Sequence, residues 1–113
     1  MIKELDSSYF DLQNNKLYSN KNTLSVVFVY ANWCGHCTRF KPVYTQVSNT
    51  YSNLIQFCVV NSDNPKCKDI IKKYVNAYPT ILIFNKNGDY IGNYDGPRDH
   101  HSFVSFLSKN INK

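Results

Sequence analysis

Apolar residues along this chain fall into two patterns, continuous runs and helically spaced positions. The runs at residues 23–31 (TLSVVFVYA) and 53–61 (NLIQFCVVN) are rich in β-branched and aromatic residues. Such runs predict strands that are buried on both faces. Residues 80–96 hold two apolar runs around Asn87-Gly88, which predicts an antiparallel hairpin. Residues 2–5 predict a further short strand.

Apolar residues at helical spacing predict four helices. The first would begin at Ser7 or Ser8, and the second would run from Cys34 to about Ser52 with a kink at Pro42. The third would begin near Pro65, and the fourth would close the chain. The first helix would bury Phe10, Leu12 and Leu17. The third would bury Ile70, Ile71 and Tyr74, and the fourth would bury Phe103, Phe106 and Leu107.

The predicted order of elements is β-α-β-α-β-α-β-β-α. Alternating strands and helices followed by a hairpin indicate an α/β fold, with a mixed central sheet and helices on both faces. The 113 residues suffice for one domain over residues 1–113, and the 42% hydrophobic content is that of a globular protein. No repeat, low-complexity tract or linker interrupts the sequence.

Charge and composition narrow the classes of partner. The formal net charge is +5, but the basic residues are scattered singly and do not form a stripe with aromatic residues, so we expect no nucleic acid partner. No apolar run approaches the roughly 20 residues of a membrane span. Because neither a signal peptide nor a retention signal is evident, we expect a soluble, cytoplasmic protein. We also expect a monomer.

The segment ANWCGHCTRF, residues 31–40, contains the strongest chemical signal. Two cysteines in a C-x-x-C pair are typical of redox catalysts or metal sites. If Cys34 opens the helix, Cys37 lies on the same side one turn later, within disulfide range. The helix N-terminus favours the Cys34 thiolate, Gly35 leaves the turn open, and His36 adds partial positive charge. We therefore interpret Cys34 as the nucleophile and Cys37 as the resolving thiol.

Four segments in register resemble the protein disulfide isomerase branch of the thioredoxin family. WCGHC (residues 33–37) resembles its active site, and Pro42 stands where the family kinks the active-site helix. YPT (residues 78–80) resembles the segment that carries the family's cis-proline. YDGPR (residues 94–98) resembles its Tyr-x-Gly-x-Arg stretch. The resemblance covers essentially the whole chain and implies the thioredoxin fold.

The resemblance also implies an activity and its residues. We expect a thiol-disulfide oxidoreductase that reduces, forms or isomerises protein disulfides through a mixed disulfide. Trp33, Tyr78 and Pro79 would line the substrate groove, and Arg98 would tune Cys37. The expected partners are protein or peptide thiols and disulfides, with glutathione or a reductase as electron donor. We expect no metal and no organic cofactor.

One position departs from the family pattern. Family members usually bury an acid six residues before the first cysteine, as a proton acceptor for the second; here that residue is Phe28. The lysine that usually partners the acid is replaced by Val59 or Val60. Losing both charges together is physically coherent, because a lone buried charge is strongly destabilising. The departure puts the rate of Cys37 deprotonation in doubt.

Other interpretations remain. A zinc site is disfavoured because Cys58 and Cys67 have poor ligand spacing. A binding or chaperone-type module could instead hold a partner chain in the Trp33, Tyr78 and Pro79 groove. We expect Cys58 to be a buried small hydrophobe, whereas Cys67 is either a structural or a regulatory thiol.

Overall fold

A five-stranded mixed sheet forms the centre of the protein. The structure is a computed structural model, and it describes residues 2–18 and 21–112; Met1 and Lys113, the ends of the predicted domain, lie outside this description. Its strands are β1 (Ile2–Glu4), β4 (Leu24–Tyr30), β5 (Ile55–Asn61), β6 (Thr80–Phe84) and β7 (Tyr90–Asn93). They lie side by side in the order β1-β5-β4-β6-β7. Two further strands, β2 (Phe10–Asp11) and β3 (Lys16–Leu17), form a separate short ribbon.

The two continuous apolar runs are the central strands, as predicted. β4 pairs in parallel with β5 and antiparallel with β6, so it has neighbours on both edges. Its residues alternate between two cores: Val26 and Phe28 face one, whereas Val27 and Val29 face the other. The predicted hairpin is also confirmed, with β6 and β7 antiparallel and Gly88 at φ 86° in the connection. The continuous apolar run of β4 is therefore explained by a strand that is buried on both faces of the sheet.

Three helices lie on the two faces of the sheet within the described residues. α1 (Gly35–Tyr51) and α3 (His100–Asn110) pack on the Phe28 face, and α2 (Lys68–Tyr74) packs on the other after a 3₁₀ turn at Pro65–Cys67. α1 continues through Pro42.

A buried hydroxyl joins α1 to the sheet. The Tyr44 hydroxyl donates to the carbonyl oxygen of Cys58 at 2.6 Å and accepts from the Cys58 backbone N–H at 3.1 Å. These bonds satisfy the hydroxyl inside the core.

The predicted first helix is wrong. Asp6 caps a 3₁₀ turn, Ser7–Tyr9, by accepting from the Ser8 N–H at 2.8 Å. The chain then forms a two-stranded antiparallel ribbon, β2 (Phe10–Asp11) and β3 (Lys16–Leu17). In the intervening turn, the Asp11 side chain accepts a hydrogen bond from the Asn14 N–H at 3.1 Å. Asn15 has a left-handed backbone conformation, with φ 56°. Asp and Asn side chains favour such turns over helix, because they satisfy the local backbone.

The apolar residues assigned to that helix are nevertheless largely internal. Phe10 and Leu17 are 6% and 1% exposed and face each other across the ribbon, and Leu12 packs partly buried beside them. The remainder of the predicted α/β architecture, a mixed sheet with helices on both faces, is confirmed. Within the described part of the chain, no helix has the length and apolar character needed to cross a membrane.

Candidate active site

The two cysteines of the C-x-x-C pair lie where β4 ends and α1 begins. A tight turn makes this junction, in which the Cys34 N–H donates to the Ala31 carbonyl at 3.1 Å. Cys34 is the N-cap of α1, and its Sγ accepts the Cys37 N–H at 3.2 Å. The sulfur thereby takes the role that a serine or aspartate oxygen usually has at a helix start. Both thiols are free, and both face the same end of the sheet.

Several donors converge on Cys34 and lower the pKa of its thiol. Burial, the largest influence, acts to raise the pKa. It is outweighed by a hydrogen bond from the Cys37 thiol, by the backbone N–H groups of Cys37 and His36, and by the charge of Arg98. The two backbone N–H groups are donors of the helix N-terminus without a partner inside the helix, and such groups favour an anion. The thiolate predicted at Cys34 therefore has a structural cause.

Cys37 has the opposite environment. Burial, together with its hydrogen bond to Cys34 and the proximity of that sulfur, raises the pKa of Cys37 to about 11, against partial lowering by the Ala31 backbone and Arg98. Its side chain is 1% exposed, compared with 5% for Cys34. The pair is thus split into one thiol that ionises easily and one that stays protonated.

We expect Cys34 to react with a limiting amount of iodoacetamide at least about tenfold faster than Cys37 near neutral pH, because alkylation requires the thiolate. Peptide mapping of the reduced protein measures the two rates. Cys58 and Cys67 are both fully buried and serve as internal controls that should remain unlabelled. Preferential labelling of Cys37 would contradict the assignment.

The His36 side chain points along the helix and not at the sulfurs. Its Nδ1 lies 2.8 Å from Nη2 of Arg39. Because arginine only donates, Nδ1 is the acceptor in this bond. His36 also acts on Cys34 through its backbone N–H, and the partial positive charge expected of its ring stays a prediction. Arg39, which sequence reasoning missed, was visible only as an i, i+3 neighbour.

Gly35 is exposed at the top of the site. A Cβ placed there would lie 3.6 Å from Nη1 of Arg39, which is ordinary contact. No clash inside the chain therefore requires glycine at this position. This is consistent with the prediction that Gly35 leaves room for an approaching substrate.

An exposed aromatic wall stands beside Cys34. Trp33 is 73% exposed, and its ring packs edge-to-face on Tyr78 with centroids 5.5 Å apart. The Tyr78–Pro79 peptide bond is cis, as the sequence resemblance implied. Trp33 and Tyr78 are 45 residues apart in sequence but form one aromatic surface next to Cys34.

Arg98 is held near both thiols by a short structured loop. The Tyr94 hydroxyl donates to the Pro97 carbonyl oxygen, and a Cβ on Gly96 would approach the Tyr94 ring at 2.8 Å, so only glycine fits beneath that ring. Asp99 follows and caps α3 by accepting from the Ser102 N–H at 2.8 Å. Tyr94 and Gly96 position this loop, and sequence reasoning gave them no role.

Phe28 fills the position of the missing acid with aromatic packing. It is 1% exposed and contacts Phe40 and Tyr44 edge-to-face, with ring centroids 5.2 and 5.1 Å apart. Its cross-strand partner is Val59, which packs against the same core, whereas Val60 faces the other core. Val59 is therefore the residue in the place of the usual lysine, and the sheet register decides an alternative that the sequence left open.

The other two cysteines lie in the opposite core. Burial raises the pKa of Cys58 to about 12. Burial also raises the pKa of Cys67, whose Sγ is 3.5 Å from the Leu5 carbonyl oxygen. Cys58 is a buried small hydrophobe, as predicted, and the burial of Cys67 favours a structural thiol over a regulatory one. The described residues contain no group of three or more His, Cys, Asp or Glu side chains that could hold a metal ion.

Curated plant proteins are similar in sequence to this chain. A 94-residue segment is 37% identical to protein disulfide isomerase-like 2-2 of Oryza sativa subsp. japonica and covers 82% of this chain and 25% of that protein. A 95-residue segment is 34% identical to protein disulfide-isomerase of Zea mays and covers 80% of this chain and 18% of that protein. The chain thus spans a quarter or less of the length of these relatives.

Solved structures share the fold. The J-Trx1 fragment of ERdj5 superposes with a TM-score of 0.75 at 26% identity, over 96% of this chain and 50% of that one. The zinc-bound form of human ERp44 superposes with a TM-score of 0.76 at 23% identity, over 96% of this chain and 31% of that one, and this likeness concerns the fold alone. The thioredoxin family model matches residues 2–109, and the chain belongs to the thioredoxin family.

Proposed function

We propose that this protein exchanges thiols and disulfides with other proteins or peptides through the Cys34/Cys37 pair. The observation that carries the proposal is the geometry at the start of α1, where the Cys34 sulfur caps the helix and accepts the Cys37 N–H at 3.2 Å. One ionisable thiol and one protonated thiol, side by side at a helix N-terminus, are what two-step disulfide exchange requires. Membership of the thioredoxin family supports the same class of chemistry.

In the first step, the Cys34 thiolate attacks one sulfur of a substrate disulfide. A bond forms between Cys34 Sγ and that sulfur, the substrate S–S bond breaks, and the second substrate sulfur leaves as a thiolate that takes a proton from solvent. Trp33 and Tyr78 would hold the substrate chain against Pro79 while this occurs. Because the pKa of Cys34 is lowered, the attacking thiolate is more populated than it would be for an unperturbed thiol.

In the second step, Cys37 loses its proton and attacks Cys34 Sγ. The intramolecular disulfide forms, the mixed disulfide breaks, and the first substrate sulfur leaves as the second thiol. The substrate has then gained two electrons and the protein has lost two. The reverse sequence donates a disulfide. In isomerisation, the substrate thiolate released in the first step attacks another disulfide of the same substrate, and a substrate thiolate then attacks the mixed disulfide, forms a new substrate disulfide and releases Cys34 as a thiolate. A thiol donor such as glutathione, or a reductase, would return the pair to the reduced form.

A binding module is the second candidate, since Trp33 is exposed to a degree unusual for so large an apolar side chain. In that case the Trp33, Tyr78 and Pro79 groove would hold a partner chain without chemistry. The two candidates differ in whether Cys34 is needed.

Insulin reduction by dithiothreitol tests the proposal. We expect the wild-type protein to accelerate precipitation of the insulin B chain and Cys34→Ser to give only the background rate. Cys67→Ala, which alters a buried thiol outside the site, is the matched control and should retain activity. Circular dichroism checks that each variant is folded.

Two further arms separate the alternatives. Recovery of activity from scrambled ribonuclease reports isomerisation specifically. If wild type and Cys34→Ser equally suppress insulin aggregation while neither accelerates reduction, the binding module is correct and the catalytic proposal fails.

A further inference from the structure

We propose that Arg39 selects disulfides that carry a carboxylate beside the attacked cysteine, an inference that rests on the proposed function of Cys34. Arg39 lies one turn into α1, is exposed, and has no part in the thiol-disulfide exchange proposed above. Its guanidinium nevertheless borders the two residues that separate the cysteines.

The guanidinium is fixed in place at the mouth of the site. Nη2 donates to Nδ1 of His36 at 2.8 Å, and Nη1 is the atom that a Cβ on Gly35 would meet, at 3.6 Å. A long arginine side chain is normally mobile on a helix surface, so this bond reduces the ordering that a ligand would otherwise require. Cys34 is 5% exposed, whereas its neighbours Gly35 and Arg39 are exposed, so a disulfide that reaches the Cys34 sulfur comes close to this guanidinium.

The positive charge of Arg39 is not neutralised. Across residues 2–18 and 21–112, neither Arg39 nor Arg98 forms a salt bridge, and Lys16 with Asp89 is the ion pair that is present, at 2.6 Å. The N–H groups of Arg39 that do not face His36 make no hydrogen bond with the described residues. Arginine presents a planar fork of donors that matches a carboxylate.

The charges around the site are distributed unevenly. Arg39 belongs to α1 and Arg98 precedes α3, two helices that pack on the same face of the sheet, and the charge of Arg98 lowers the pKa of both thiols. The Asp63 carboxylate, which follows β5, accepts from the Asn32 N–H at 3.2 Å. An anionic substrate segment is therefore favoured near Arg39 and disfavoured near Asp63. This polarity would orient the substrate as well as attract it.

Second-order rate constants for attack on two matched pairs of disulfides test the proposal. One pair is a peptide disulfide with Glu or Gln next to its cysteine, and the other is glutathione disulfide or its fully esterified form. Because a carboxylate also changes intrinsic disulfide reactivity, each acidic-to-neutral ratio is divided by the same ratio measured with dithiothreitol. For an exposed charge pair, we expect a corrected ratio of about two- to fivefold in the wild type at low salt. The ratio should shrink in about 1 M salt.

Three variants assign the effect to Arg39. Arg39→Gln should bring the corrected ratio close to one, and Arg39→Lys should retain part of it, because lysine keeps the charge without the fork. Lys86→Gln removes an exposed cation in the distant β6–β7 connection and should leave the ratio at the wild-type value. A preference confined to one pair identifies that source of carboxylate and supports the proposal.

A corrected ratio of one for both pairs in the wild type, or an equal ratio in Arg39→Gln, overturns the role of Arg39. The proposed function fails differently. In that case, the wild type cleaves neither the acidic nor the neutral member of either pair.

Discussion

Resolution of the mixed disulfide should accelerate about tenfold for each unit of pH between about pH 6 and pH 9. The rate of this step is proportional to the fraction of Cys37 present as thiolate. Burial is the largest influence raising the pKa of Cys37, and it remains when Cys34 is bonded to substrate, although the contribution of the Cys34 thiol to the pKa is then lost. Below the pKa, each pH unit multiplies the thiolate fraction about tenfold.

The first step should depend less on pH than the second over the same range, since the pKa of Cys34 is lowered and that of Cys37 is raised. The difference between the two steps is the test. A mixed disulfide is preformed between Cys34 and a fluorescent thiol, and release of that thiol is followed by stopped flow against pH. A flat profile would show that an internal base other than the missing acid deprotonates Cys37.

Arg98→Ala is the matched variant for this profile. Sequence reasoning assigned Arg98 to Cys37 alone, but its charge lowers the pKa of both thiols. Because the side chain is exposed and solvent screens its charge, we expect resolution to slow by only about two- to fivefold. The slope with pH should be unchanged, because the variant shifts the pKa without supplying a base.

The sheet and the C-x-x-C helix were predictable from sequence for local reasons. Continuous apolar runs suit few environments other than a doubly covered strand, and the pair 34–37 at a helix start fixes its own geometry. The structure of the N-terminal segment could not be predicted in this way. Phe10 and Leu17 have a spacing that is compatible with a helix, but they pair across a two-stranded ribbon. The turn chemistry of Asp11 and Asn15 decided the outcome over periodicity.

Side-chain partners at the site were beyond sequence reasoning. The expectation that His36 adds partial positive charge considered the ring in isolation, whereas Nη2 of Arg39, one turn later, lies 2.8 Å from its Nδ1. Likewise, Val59 and Val60 were indistinguishable until the register placed Val59 opposite Phe28. Adjacent strand residues face opposite sides, so a one-residue uncertainty changes which core a side chain enters.

The pairing of Phe28 with Val59 leads to the second prediction with a large expected effect, a loss of stability in Phe28→Glu. The variant replaces a ring that contacts Phe40 and Tyr44 with a carboxyl group that has no buried cation beside it. Losing a buried aromatic side chain destabilises by about 3–5 kcal/mol, and burying an unpaired carboxyl group, which must become protonated, adds to this loss, so we expect at least the lower figure. Urea unfolding at neutral pH measures the change in free energy of unfolding. Phe28→Leu is the control for lost ring contacts alone.

Adding Val59→Lys should recover part of this loss and change the chemistry as well. In Phe28→Glu alone, burial favours the protonated carboxyl, which cannot accept a proton from Cys37, so the steep pH profile should persist. With a lysine at the cross-strand position, the glutamate is held ionised and can act as the acceptor. The double variant should therefore be more stable than Phe28→Glu and should resolve the mixed disulfide with a flatter profile near pH 7. Equal stability of the single and double variants would show that positions 28 and 59 do not couple. Recovered stability with an unchanged slope would show instead that the glutamate does not accept the proton of Cys37. In that case, replacing Phe28 by an acid would not be enough to speed the deprotonation of Cys37.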